Sequence, residues 1–211
     1  MKRKKEEKRN LILDAALKII GERGLHALTM EQVAEVADVA TGTLYLYFKN
    51  KESLCAAVSA KLNKEVNHAI SEKMDQVQTG SEKIMACGIA IVEFAFSDPQ
   101  RAKAFRDLYQ MEIKDTEDPN VQELIKEVNK TLRIKEESFR QAINEGSVRK
   151  DLDPIPAAMF LRMAFINALT PTSEQVLLLK SNKIDMGRYL TTVQDMVLRT
   201  THQNLPDMEK R

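Results

Sequence analysis

Leu54, Val58, Leu62, Val66, Ile70, Met74 and Val77 recur every three or four residues. A series at that spacing paints one stripe along an α-helix and fits no strand, whose faces alternate every two residues. Nearly every other segment carries the same period. Ile12, Ala15, Ala16, Ile19 and Ile20 give a helix over about 6–20, with Gly21 and Gly24 as its stop signals. Val33, Ala34 and Ala37 give a second, opened by Thr29 and Gln32 in the spacing of a capping box. The spacing predicts a third over about 41–48, then the long fourth with Asn50 as its N-cap.

Beyond the Thr79-Gly80-Ser81 break, the stretch 82–96 is apolar nearly all round and predicts a deeply buried helix. Asp98-Pro99, Asp118-Pro119 and Asp153-Pro154 each put a capping carboxylate before a proline at the first helical position. They predict helices over about 99–113, 119–145 and 154–169. Two more follow at about 173–180 and 185–201. The fold class is therefore all-α, and 43% hydrophobic content suffices for a sizeable core.

The second and third helices, joined by Asp38-Val39-Ala40, make a helix-turn-helix candidate. Ala34 is the small residue that lets the third helix pack closely. Asp38 stands at the turn, where positive φ is needed and Asp tolerates it better than most residues. Leu44 is the branched apolar anchor. On a wheel of about 100° per residue, Leu44 and Phe48 define the buried direction and Leu46 lies about 180° from it. Gly42 and Thr43 point outward. Tyr45 and Tyr47 flank the core at about 80° on either side, able to bury rings and expose hydroxyls. Such a surface suits a DNA major groove: Gly42 allows close approach, Thr hydroxyls bond bases or phosphates, and Leu46 can touch thymine methyls. Tyr hydroxyls and the Lys51 ammonium suit phosphate oxygens, and Thr29 can bring a phosphate to free helix N–H groups. The bland alternative is an intramolecular interface.

Charge agrees with the groove reading. Residues 1–61 hold 11 Lys and Arg against 8 Asp and Glu, a net of +3, while the remainder holds 21 against 23, a net of −2. The first ten residues carry six of those bases, either a nucleic-acid footprint or a solvated tail.

The stretch LTMEQVAEVADVATGTLYLYFKNKESL, residues 28–54, resembles the DNA-binding segment of the TetR family of transcriptional regulators. The LT start, Ala34, the GTLY run, the aromatic step from Tyr45 to Phe48 and KNKESL carry the likeness. It covers residues 10–58; farther on, GSVRKDLDPIPAA at 146–158 looks like the family's entry into its dimerisation helices. The resemblance implies an N-terminal three-helix DNA-binding domain (1–55), then a larger helical ligand-binding and dimerisation domain (56–211). It implies phosphate contacts from Thr29, Tyr45, Tyr47 and Lys51, and groove contacts from Thr41, Gly42, Thr43 and Leu46. Its usual mode of action is a homodimer on a palindromic double-stranded operator, released by a small molecule. Two positions depart from the pattern. Ala40 replaces the usual capping Ser, which leaves either Ala40 or Thr41 to cap the third helix. Asp38 replaces the usual turn Gly.

In the second domain, 157–169 (AAMFLRMAFINAL) is too apolar for a free surface helix. With Tyr189, Leu190, Val193, Met196 and Val197 it is expected to form a four-helix seam across a two-fold axis. Met and Phe are frequent in the middle helices and suit either ordinary core or a pocket for a largely hydrophobic effector. Glu93, Arg162 and Asn167 are candidate ligand anchors among them.

Nothing in the sequence calls for a cofactor, a metal or an enzyme. His26, His68 and His202 lack ligand spacing, Cys55 and Cys87 have no CxxC partner, and no phosphate loop or GxSxG occurs. No apolar run reaches the ~18 residues of a membrane span, and no signal peptide is evident, so a cytoplasmic setting is expected. The rival reading is an all-helical protein-interaction adaptor that does not bind DNA.

Overall fold

A computed structural model of the chain describes residues 2–169 and 171–201. The described residues form α1 (Lys2–Arg23), a 3-10 turn (Leu25–Ala27), α2 (Met30–Val36), α3 (Thr41–Tyr45), α4 (Lys51–Met74) and α5 (Gly80–Ser97). After them come α6 (Pro99–Tyr109), α7 (Pro119–Asn144), α8 (Pro154–Leu169), α9 (Ser173–Ser181) and α10 (Met186–Thr201). No strand occurs among them.

The cap chemistry explains most boundaries. Asn50 Oδ1 accepts from Ser53 N at 2.8 Å, Asp98 Oδ1 from Gln100 and Arg101 N, Asp118 Oδ1 from Asn120 N, and Asp153 Oδ1 from Ile155 N. Four corrections to the sequence reading follow. The basic N-terminal run is helical from Lys2, not a tail before residue 6. Gly21 is not a stop: it lies inside α1, where an added Cβ would come within 2.9 Å of Gln100 Cβ, so it marks the close approach of α6. Gly24, at φ 88°, ends α1. The capping box at Thr29 is half made. Thr29 Oγ1 accepts from Gln32 N at 3.2 Å, but Gln32 Oε1 is buried without a hydrogen-bond partner among the described residues. A complete box forms at Thr172 and Gln175, which sequence reasoning passed over. Finally, α6 stops at Tyr109 rather than near 113.

The chain divides into two compact units. The first comprises the described residues of Met1–Asn67 and Phe94–Asn129. Its core joins Ile12, Ala16 and Ile20 of α1, Val33 and Ala34 of α2, Leu44 of α3, Phe48, and Leu54, Val58 and Leu62 of α4. Ala104 and Leu108 of α6 enter the same core, so α6 braces the N-terminal helices. Each large aliphatic side chain fully buried here contributes about 1.5–3 kcal/mol. Near the start of α7, Ala56, Ala60, Val121 and Leu124 form a smaller apolar cluster. Beside it, Asp118 accepts from Ser53 Oγ at 3.1 Å, and Asn120 Nδ2 donates to the same hydroxyl at 3.0 Å.

The second unit comprises the described residues of His68–Glu93 and Lys130–Arg211. Here α8 and α10 pack together. Gly80 lies against α7, where an added Cβ would collide with the Ala142 backbone. Ile84, Cys87, Phe139, Ala142, Leu161, Phe165 and Leu190 are buried, and so are three polar residues on one face of α7: Thr131, Lys135 and Ser138. By contrast, Ile155, Met159, Phe160 and Met163 of α8 are exposed, as are Tyr189 and Met196 of α10. The expectation that 82–96 is buried all round is corrected: Ile89 and Phe96 are exposed. The side chain of Val197 and all of His202 lie outside the described residues.

Both cysteines are free and buried. Burial pushes the Cys55 thiol up to about 12 and the Cys87 thiol up to about 11. Among the described residues there is no group of three His, Cys, Asp or Glu able to hold a metal, and no helix long and apolar enough to cross a membrane.

Candidate nucleic-acid interface

The site is built outward from a closed core. Leu44 and Phe48 are 0% exposed and fix α3 on its scaffold, while Leu46, two residues on, is 80% exposed. The turn before α3 is held by Asp38 at φ 52°, the left-handed conformation its type tolerates. Val39 N donates to Ala34 O at 3.0 Å, closing the α2–α3 corner. Ala40 is the N-cap of α3 and makes no side-chain cap; its carbonyl accepts from Thr43 N at 2.8 Å. Of the two caps the sequence leaves open, Ala40 is the one used, so α3 starts at Thr41 without side-chain satisfaction of its first N–H groups.

The end differs. Helix α3 closes at Tyr45 rather than at 48, and Leu46 takes the C-cap position. Leu46 N and Tyr47 N donate to Thr43 O and Leu44 O, three residues back, so the last turn is tightened. Phe48 N still reaches Leu44 O at 3.1 Å, which preserves the buried pair.

The eight predicted contact residues fall as follows. Gly42 is exposed, and an added Cβ there would meet nothing within 4 Å. Thr41 and Thr43 are half-buried, Tyr45 is exposed, and Tyr47 is half-buried against the core. Thr29 is exposed at the N-terminus of α2. Lys51 Nζ donates to Leu25 O at 2.9 Å, which fixes the ammonium at the first residue of the 3-10 turn. One hydrogen is committed there, and an ammonium has three.

Charges around this surface are sorted by their partners. Lys49 pairs with Asp115 at 2.9 Å, which raises the Lys49 pKa and lowers that of Asp115. Glu52 is held below the usual carboxylate range by the backbone N–H groups of Asp115 and Lys114, and faces this connection. From α1, the Lys5 ammonium stands 5.9 Å from the Tyr47 ring centroid, and the Arg9 guanidinium 5.7 Å from that of Phe48. Arg9 also bonds Asn120 and Glu123 of α7. The first turns of α1 thus lay their cations beside the aromatic step, a placement the sequence offers only as a charge count.

The three ligand candidates do not come together. Glu93 is exposed and pairs with Lys73 at 2.9 Å. Asn167 is exposed, and Arg162 is half-buried. Arg162 acts instead on a residue that sequence reasoning missed: Lys135, 1% exposed, whose Nζ has no hydrogen-bond partner among the described residues. Burial is the main cause that draws the Lys135 pKa down to about 8, and Arg162 adds to it. The available signal was positional. Lys135 takes a core place in the series Leu124, Thr131, Lys135, Ser138, Ala142 along α7.

Residues 12–58 match the family model described as bacterial regulatory proteins, tetR family. An uncharacterized HTH-type transcriptional regulator, YhgD, of Bacillus subtilis is 30% identical over 161 residues, covering 76% of this chain and 81% of that protein. The fatty acid metabolism regulator protein of the same organism is 27% identical, over 72% of this chain and 76% of its own. Among solved structures, the transcriptional regulator FadR from Bacillus subtilis, in complex with stearoyl-CoA, superposes with a TM-score of 0.72 at 21% identity. It covers 91% of this chain and 98% of that one.

Proposed function

The chain belongs to the tetR family of bacterial regulatory proteins, and is a DNA-binding transcriptional regulator rather than an enzyme; from that premise we propose how it works. It acts as a repressor that binds a palindromic operator as a homodimer in the cytoplasm, and a small, largely apolar molecule releases it. Residues 1–55 do the DNA binding and 56–211 the ligand binding and dimerisation. The observation that carries the DNA reading is the exposed Leu46 and Gly42 opposite a fully buried Leu44 and Phe48. Groove floors accept Leu beside Thr, since apolar side chains touch thymine methyls and hydroxyls bond base edges.

We assign groove contacts to Thr41, Gly42, Thr43 and Leu46, and phosphate contacts to Thr29, Tyr45, Tyr47 and Lys51. The pinning of Lys51 to Leu25 supports its role, because a pre-positioned ammonium loses less freedom on meeting a phosphate. For the dimer, the support is the exposed apolar residues Met159, Phe160 and Met163 of α8 and Met196 of α10, two helices that pack together. A two-fold seam would bury them, and a palindromic operator offers the two copies of α3 half-sites about 34 Å apart, one turn of DNA.

For the effector, the fatty acid metabolism regulator and the stearoyl-CoA complex among the relatives favour an acyl compound. Arg162 remains our candidate anchor, with Glu93 and Asn167 at the rim. Effector binding shifts the population between two arrangements by its differential affinity for them, and α4 is the element we expect to move.

A gel shift on the DNA upstream of the gene itself, repeated across a salt series, tests the DNA reading. Phosphate contacts predict affinity that falls steeply and log-linearly with salt. A protein-interaction adaptor predicts no shift at any salt.

A further inference from the structure

We propose that the Lys135 ammonium receives an oxyanion of the effector inside the second unit, so that the ligand is an apolar molecule carrying a negatively charged oxygen group. The inference rests on the effector-binding reading above and gives it a chemical class and a named anchor. Lys135 is 1% exposed, and its Nζ has no hydrogen-bond partner among the described residues. A lysine that serves only the fold is expected to find its acceptors in the fold, because an unpaired buried ammonium is strongly disfavoured.

Among the described residues, none of the charged groups that act on Lys135 is an anion at neutral pH. Ser138, one turn along the same face, donates its hydroxyl to Ile134 O of its own helix at 2.9 Å. The Cys87 thiol stands near enough to act on Lys135, but its pKa near 11 keeps it uncharged at neutral pH, and its Sγ lies 3.7 Å from Met74 Sδ. The other group that acts on Lys135 is a second cation, Arg162 of α8. A cation whose field already reaches Lys135 favours an anion there, and such an anion offers Nζ the acceptor it lacks among the described residues. Phe139, one turn beyond Lys135, and Phe165, one turn beyond Arg162, are fully buried and provide apolar surface for the remainder of the ligand.

The oxyanion can be a carboxylate or a phosphate of an acyl thioester, and three ten-carbon probes separate them: decanoate, decanoyl-coenzyme A and uncharged 1-decanol. Each is titrated calorimetrically into the full-length native protein and Lys135→Met at pH 7. We expect the substitution to weaken at least one anionic probe by about tenfold or more while decanol changes by less than about twofold. Loss confined to decanoate identifies a carboxylate; loss confined to the thioester identifies the coenzyme A moiety. The proposal is overturned if neither anion binds the native protein, if both keep their affinity in the variant, or if all three probes weaken together. The acid-to-alcohol ratio on the native protein gives a readout that does not depend on the variant folding. Operator binding is followed separately. A protein that never binds operator fails the regulatory reading, whereas one that binds operator but shows no Lys135 dependence fails this inference alone.

Discussion

The two units of this chain distribute polarity in opposite senses. In the first, an apolar core closes completely beneath α3, and the polar and small residues Thr41, Gly42, Thr43 and Tyr45 lie at or near the surface. In the second, three polar residues of α7 are buried, and the methionines and phenylalanine of α8 stand in solvent. An arrangement of the first kind is complete in one chain. The second is different: among the described residues its α8 face is exposed and the Nζ of its inner lysine has no hydrogen-bond partner. We read the first as a finished head and the second as a unit completed by a second copy and a ligand.

The largest effect should come from breaking that cover. Phe160→Asp combined with Met163→Asp puts two carboxylates on the exposed face of α8. We predict monomers in sedimentation at micromolar concentration, and operator affinity lower by about a hundredfold or more as the second half-site is lost. A variant that stays dimeric refutes the assigned interface.

Next is the head's own core. Leu44→Ala should cost about 2–5 kcal/mol in denaturant unfolding, because Leu44 is 0% exposed and the cavity cannot refill from solvent. A loss near zero means that α3 is not anchored as described.

In the second unit the sign reverses. Lys135→Met should stabilise the free protein near neutral pH by roughly 3 kcal/mol, taking about 1.4 kcal/mol per unit of the fall from 10.5 to about 8. A base whose folded pKa is depressed destabilises the fold fully below the folded value. That deficit shrinks as pH rises from about 8 towards 10.5. The variant's advantage should therefore fade across that window, and a constant advantage contradicts the burial account. A smaller effect is expected at Thr29→Ala, about 1 kcal/mol for the lost cap on α2. If unfolding does not register it, the bond to Gln32 N is not contributing.

The difference between the units also explains what the sequence disclosed. The α2–α3 corner was legible because local rules fix it: the small Ala34, the left-handed Asp38 and the apolar anchor Leu44 each constrain backbone over a few residues. The Asp-Pro starts were legible for the same reason. The α3 end was misjudged because Leu46 and Tyr47 choose three-residue-back bonds, a decision no side-chain pattern announces. Gly21 was misread because a glycine demanded by the approach of α6 looks, in one dimension, like a stop. Lys135 was missed because periodicity treats a lysine as surface by default, even at a core place of the α7 series.

The central claim is that the outward face of α3 is shaped for DNA and not for the fold, and Gly42→Ala tests it most directly. Since an added Cβ at 42 meets nothing within 4 Å in the protein, thermal unfolding should stay the same or rise slightly, as alanine favours helix. Fluorescence anisotropy on the operator should show affinity down by about tenfold or more, because the methyl intrudes where the backbone approaches the groove. Unchanged operator affinity with unchanged stability would contradict the account.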